Sequence, residues 1–304
     1  MLREVTAFSP AHISGLFQIF NKSPDPLLKG SRGAGVSLKT GVITKVSVQK
    51  AEKNSLDIKI NGLTTESAEV SKYVVDSFLS LMSENHKILV NHEISVPMCA
   101  GFGSSGAGAL SLALALNEAL QLGLSNVKAA QIAHTAEVQC KTGLGSVIAE
   151  TVGGLEIREK PGAPGVGKIS KIPVSIQHVV ACLFFGPIST KNSLSNPQLC
   201  HQINELGGKL VDDLVREPRP DVFMSFSRKF ADGVGLITER MRKVLVEADH
   251  NNIVCSMNMF GECLFSLIPK DSVDELVDIF HKHSPSPDGV FVSEIDNEGA
   301  KLLW

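Results

Sequence analysis

The sequence predicts an α+β fold, on three observations. Strand-like and helix-like segments are mixed along the chain without a regular βαβ rhythm, which argues against a doubly wound parallel sheet. A helix over about 105–122, apolar nearly all round, follows a strand and is expected to be central and buried. Residues 161–168, Pro-Gly-Ala-Pro-Gly-Val-Gly-Lys, form a loop that marks a candidate boundary between units 1–165 and 166–304.

The elements follow from local pattern. Residues 36–50 and 55–60 alternate polar and apolar side chains and read as strands. Residues 66–83 have amphipathic helical spacing. Residues 88–96 read as a strand that ends at Pro97. After the apolar helix come a second helix over 126–140 and a strand over 152–158. Beyond the boundary the pattern gives a strand at 178–185 and helices near 196–216, 219–232 and 236–248. Strands near 252–259 and 263–268, a helix at 271–283 and a strand at 289–295 finish the chain.

Composition excludes several classes of function. At 304 residues, 43% hydrophobic and 20% charged, the chain is ordinary globular material that needs no metal or disulfide staple. A net charge of −3 gives no reason to expect nucleic acid as a partner, and 5% aromatics make a base-stacking surface unexpected. The six Cys (99, 140, 182, 200, 255 and 263) form no C-x-x-C and read as reduced thiols. The first residues carry charge at positions 3 and 4, and the most apolar stretch, Ala107 to Leu116, is too short to span a bilayer. A cytoplasmic protein with no membrane partner is expected.

The strongest local signal is Pro97-Met-Cys-Ala-Gly101-Phe-Gly103-Ser104-Ser105-Gly106-Ala107-Gly108, between a strand and the buried helix. Glycines let successive N–H groups converge on an anion, and a helix N-terminus adds partial positive charge. Ser104 or Ser105 is placed to cap the helix, and a hydroxyl there can also ligate Mg²⁺. A phosphate cradle is the physical expectation; a tight turn that merely allows close packing is the alternative. Gly101, Gly103 and Gly106 formally match the dinucleotide fingerprint, but a second helix follows where a strand and an acid are needed. No Lys follows the glycines as in a Walker A loop, and the protein-kinase signatures are missing.

These residues resemble the GHMP kinase superfamily. Pro-x3-Gly-x-Gly-Ser-Ser-Gly-Ala is similar to its ATP-phosphate loop, and the opening Ala7 to Phe17 is similar to its first motif. Within the superfamily, the opening with His12, the segment Gly30-Ser31-Arg32-Gly-Ala-Gly35 and the helix motif Ala133-His134-x-Ala-Glu137 running into Gly143-Leu-Gly145 look most like the archaeal pantoate kinase family. Matches recur from residue 7 to about 167, and Cys255 to Gly261 sits loosely where the superfamily has a third motif. The resemblance implies a ribosomal-S5-like N-terminal domain, which would bind ATP phosphates and substrate, and a ferredoxin-like C-terminal domain. It also implies MgATP-dependent phosphorylation of the 4-hydroxyl of pantoate in coenzyme A synthesis, and it leaves a homodimer open. Another small-molecule kinase of the superfamily (homoserine, mevalonate or shikimate type) and a binding protein without turnover are the rival readings.

The resemblance implies roles for individual residues. Pro97, Gly101, Gly103, Ser104, Ser105, Gly106 and Ala107 would hold the nucleotide. Ser105 and Glu137 would hold Mg²⁺, although a solvated charge is the usual fate of a helical Glu. His12, Ser31, Arg32, His134 and Arg158 would meet the substrate, an Arg fork suiting its carboxylate. Thr190 would assist near the transferred phosphate by resemblance only. One position departs: the family carries Asp in the turn after Gly-Leu-Gly, and this chain has Ser146. Ser is a poor base, so normal binding with slow turnover is expected, and Ser146→Asp is expected to raise kcat.

Overall fold

The computed structural model describes residues 2–187 and 197–304. Two long strands, β1 (Arg3–Phe20) and β2 (Gly30–Lys50), pair antiparallel and form the spine. The sequence pattern gave no strand over β1 and started β2 only at residue 36. The reason is physical. Residues 9–13 of β1 and 33–38 of β2 are buried without alternation because both sheet faces are covered there. Two register shifts, at Pro10/Ala11 and Ser14/Leu16, further break the period of two.

The larger sheet is completed by β3 (Ser55–Ile60), β4 (Leu63–Thr64), β5 (His86–Ile94), β6 (Leu155–Lys160), β7 (Lys168–Ile172) and β12 (Lys301–Leu303). Its main path runs β12-β1-β2-β5-β3-β4, with β6 paired to β2 and to β7. The Gly- and Pro-rich segment at 161–168 is the turn between β6 and β7 of this sheet. The helices α1 (Glu69–Leu79), α2 (Ser104–Ala119) and α3 (Asn126–Cys140) cover one face. The α2 helix is central and nearly all buried, as its composition requires: Leu110, Leu112 and Leu116 pack with Val46, Val74, Phe78 and Ile88. A short helix, α4 (Ser146–Val152), absent from the sequence pattern, precedes β6.

The second sheet holds β8 (His178–Pro187), β9 (Ser256–Met257), β10 (Gly261–Pro269) and β11 (Val290–Glu294) in the antiparallel order β11-β8-β10-β9, the ferredoxin-like arrangement. The helices α5 (Pro197–Arg216), α6 (Pro220–Val234), α7 (Glu239–His250) and α8 (Val273–His283) belong to this half. A second core joins the two sheets: Phe17 of β1 meets Phe230 of α6 with ring centroids 5.5 Å apart, and Phe223 meets Phe265 of β10 at 6.2 Å. The halves are therefore packed through β1, which places the residues at their junction on a firm base.

Candidate active site

The glycine-rich loop lies at that junction. His12 N–H of β1 donates to Phe102 O at 2.9 Å, and Asn258 Nδ2, just past β9, donates to Ala100 O at 3.1 Å. The loop is thus clasped from both sheets. Gly101 and Gly103 have φ of +83° and +65°, a region that L side chains enter at a cost. Gly103 is the N-cap of α2, and no side chain caps that helix, so neither Ser104 nor Ser105 plays the capping role expected of them. The first-turn amides of α2 are left for an acceptor from outside the helix.

Above the loop opens a cavity of about 670 Å³, ample for a nucleotide triphosphate or a similar ligand. Gly101, Gly103, Ser104 and Ser105 line it from the loop, and Glu137 and Ser146 from α3 and α4. His12 and Ser31 line it from the spine strands, and Met259 and Phe260 from the segment before β10. Four residues far apart in sequence but singled out by it, His12, Ser31, Glu137 and Ser146, therefore share one space with the loop. Pro97, Gly106 and Ala107 stand behind this surface; Ala107 is fully buried.

Glu137 is buried, and Thr142 donates its hydroxyl to Glu137 Oε1 at 2.6 Å. Ser105 also hydrogen-bonds this carboxylate. Burial pushes the Glu137 carboxyl up from its ordinary value, and the two hydroxyl donors pull part of the way back. A hydroxyl and a carboxylate converging on a phosphate-sized space are the hard oxygen donors that suit Mg²⁺, which keeps water and substrate phosphate as its other ligands. Among the described residues no group of three or more His, Cys, Asp or Glu is placed to hold a metal ion.

Arg158 of β6 lies fully buried beneath the cavity floor. Its Nη1 donates to Glu156 Oε1 at 2.5 Å and lies 3.3 Å from His12 Nε2, and Nη2 donates to Ser14 at 3.2 Å. Glu156 Oε1 also sits 2.8 Å from His12 Nε2. Burial pushes the His12 imidazole down, against the pull of Glu156. Arg158 Nε, which no described protein group takes, approaches Gly145 at the floor beside Ser31.

Two expected substrate contacts are placed elsewhere. Arg32 follows Ser31 on β2, so its side chain leaves the opposite face of the strand. There it donates to Glu159 O at 2.9 Å and to Gln18 at 3.3 Å, and pairs with Asp212. His134 does not line the cavity: its Nε2 bonds the carbonyls of Pro26 and Lys29, at 3.2 and 3.1 Å. It clamps the turn that delivers Ser31. Thr190 lies outside the described residues.

Glu150 of α4 was not singled out by the sequence. It is fully buried among the loop glycines, and neither carboxylate oxygen accepts a hydrogen bond from a described protein group. Burial, then the charge of Glu137, holds its carboxyl well above the usual range, with Arg158 opposing.

Residues 69–154, which span α1, the loop, α3 and α4, match the model of the GHMP kinases N terminal domain. The pantoate kinase of Thermococcus kodakarensis is 34% identical over 278 residues, covering 89% of this chain and 90% of that protein. The chain belongs to the GHMP kinase family. A second relative, the pantoate kinase of Methanocaldococcus jannaschii, is 33% identical over 90% of this chain and 96% of its own length. A solved structure described as a phosphotransferase related to the CoA biosynthesis pathway superposes with a TM-score of 0.89 at 31% identity, over 99% of both chains. The GHMP kinase reading fits a ferredoxin-like second half and a first half built on the β1–β2 spine. No described helix is long and apolar enough to cross a membrane.

Proposed function

We propose that this GHMP kinase transfers the γ-phosphoryl group of ATP to the 4-hydroxyl of pantoate, giving 4-phosphopantoate for coenzyme A synthesis. The single observation that carries the reading is the match to two pantoate kinases over about nine-tenths of the chain, with both motif regions in one cavity.

In this reading the amides of Gly101 to Gly106, at the N-terminus of α2, hold the nucleotide phosphates, while the Ala107 amide is spent on Gly103 O at 2.9 Å. The positive φ of Gly101 and Gly103, a backbone conformation used in anion-binding loops, supports the assignment. Ser105 and Glu137 would hold Mg²⁺, which when bound would supply charge neutralisation to the phosphates. His12 and Ser31 face the acceptor. Arg158, through its Nε, meets the acceptor's carboxylate from below, and Glu156 fixes its guanidinium. Phosphoryl transfer asks mainly for alignment and charge neutralisation, and a buried, hydrogen-bonded set of this kind supplies both.

The test is a panel: purified protein with MgATP and pantoate, homoserine, mevalonate or shikimate in turn, followed by ADP release. Pantoate is expected to give the highest kcat/KM. Preference for another acceptor by tenfold or more would replace the substrate while keeping the kinase.

A further inference from the structure

Phe260 holds a backbone conformation that its residue type resists. The amide of Gly261 donates to Asn258 O at 3.1 Å and closes a four-residue turn ahead of β10. Phe260 is the third residue of that turn and has φ of +65°. Turn positions with positive φ ordinarily take Gly or Asn, and a bulky side chain in that region is an outlier of the kind that clusters at functional sites. The ring is not released to solvent: it is half-buried, lines the cavity and meets Phe17, with centroids 5.3 Å apart.

Phe17 reaches the cavity through a second irregularity. In an unbroken strand, residue 16 would share a face with His12 and Ser14. The register shift between Ser14 and Leu16 leaves Gly15 as an extra residue, and the bulge brings Phe17 to the side of His12 and Ser14 instead. Leu16 goes fully into the core. Gly15 makes this possible, since a Cβ there would lie 2.1 Å from Ser227 Oγ.

The aromatic pair stands between the two ends of the site. On one side is the phosphate loop: a Cβ on Gly101 would lie 2.5 Å from Met259 O, and Asn258 Nδ2 holds Ala100 O. On the other side is Arg158: the Cβ position of Gly33 lies 2.7 Å from Arg158 Nη2 and 2.9 Å from Phe17 Cβ. Ser14 ties the two sides together. Its hydroxyl accepts from Arg158 Nη2 at 3.2 Å, and its carbonyl accepts from the Met259 amide at 3.4 Å. An acceptor with its carboxylate at Arg158 and its hydroxyl at the γ-phosphate has its middle carbon against this wall. The nucleotide's base, the other apolar group, lies beyond the α-phosphate, at the opposite end from the transferred group.

We propose that Phe17 and Phe260 select the acceptor by its middle carbon, which in pantoate is quaternary and carries two methyl groups. Burying those methyl groups against two aromatic faces removes apolar surface from water. An acceptor without them leaves the wall unfilled. The inference rests on the pantoate kinase reading above and adds to it the residues that set the substrate preference.

The test compares initial rates with MgATP for pantoate and for 2,4-dihydroxybutanoate, which lacks both methyl groups. The wild type is expected to favour pantoate in kcat/KM by about 10²-fold, because a single methylene in an apolar pocket discriminates about 10–200-fold. Phe260→Gly accepts the positive φ and removes the ring. It is expected to lower the preference by about tenfold or more, through loss on pantoate alone, with KM for ATP changed little. Absence of pantoate phosphorylation by the wild type overturns the kinase reading, and the occupant of the wall with it. Phosphorylation of pantoate without preference over the unmethylated acceptor overturns the proposal and leaves the reading intact. So does a Phe260→Gly protein whose preference is unchanged or whose loss is equal on both acceptors. A rise in KM for ATP in place of the lost preference would give the wall to the base and overturns it too. If Phe260→Gly does not fold, Phe17→Leu decides by the same ratio: a wild-type preference there refutes the assignment.

Discussion

The hydroxyl of Thr142 donates to Oε1 of Glu137 across 2.6 Å, from the turn that follows α3. Lys141, with φ of +58°, ends the helix and folds the chain back so that Thr142 can make this bond. The carboxylate is oriented before any ligand arrives. Partners that orient a metal ligand are typically worth about 10–100-fold in metal affinity. Thr142→Val is therefore expected to raise the Mg²⁺ needed for half-maximal activity by about tenfold or more, and Glu137→Gln to raise it further and cut kcat. A Mg²⁺ titration of initial rates checks both; an unchanged titration for Glu137→Gln would place the cation elsewhere.

Gly103 is a second point of control. Its φ of +65° strains any L side chain, and a Cβ there would come within 2.5 Å of Glu150 Oε1. Gly103→Val is expected to abolish ATP binding by calorimetry while far-UV circular dichroism stays near wild type. Normal nucleotide affinity in the folded variant would contradict a phosphate role for this loop.

The loop was legible in the sequence because Gly and Ser density reports backbone geometry directly. The Ser105–Glu137 pair was legible only through the family resemblance, since a helical Glu by itself reads as a solvated charge. Glu150 was not: it sits in the run Val147-Ile-Ala-Glu-Thr-Val152, whose helix is a mere seven residues long and shows no clear period. An acid flanked by Val147, Ile148, Ala149 and Val152 was the available signal. The His12–Glu156–Arg158 cluster joins residues 144 and 146 positions apart, and no local pattern carries such a contact. Arg32 misled for a simpler reason. Strand alternation sends it and Ser31 to opposite faces, and the motif alone does not say which face holds the cavity.

The two arginines give a contrast that sorts these roles. Arg158→Lys keeps the buried charge beside Glu156 but loses the fork. It is expected to lower kcat/KM for pantoate by about 1.5–3 kcal/mol, with ATP binding changed little. Arg32→Ala, which removes surface contacts to Gln18, Glu159 and Asp212, is expected to leave pantoate kinetics within about twofold. Steady-state kinetics with pantoate varied decides; equal effects of both would move the carboxylate pocket.

Burial of Glu150 has a signature in stability. Its carboxyl holds a proton more tightly in the fold than in the unfolded chain, whose value is about 4.5. Its contribution is present in full below that pH and is lost as pH rises through the folded value. Burial lowers the value of His92 to about 4, and those of His12 and His134 also fall below 6.5, so they act oppositely, costing stability as pH drops below 6.5. The difference between wild type and Glu150→Gln isolates the carboxyl. The variant is expected to gain Tm relative to wild type as pH rises from 4.5 to 8. A constant difference over that range would mean that Glu150 is not perturbed by the fold.

The central claim is that this chain phosphorylates pantoate, and product analysis tests it most directly. Purified protein, MgATP and pantoate are incubated, and the mixture is resolved by mass spectrometry and ³¹P NMR. The expected result is one equivalent of 4-phosphopantoate for each ADP formed, with none when pantoate or Mg²⁺ is omitted. ADP formed without phosphopantoate, or no ADP from a protein that binds ATP, would contradict it.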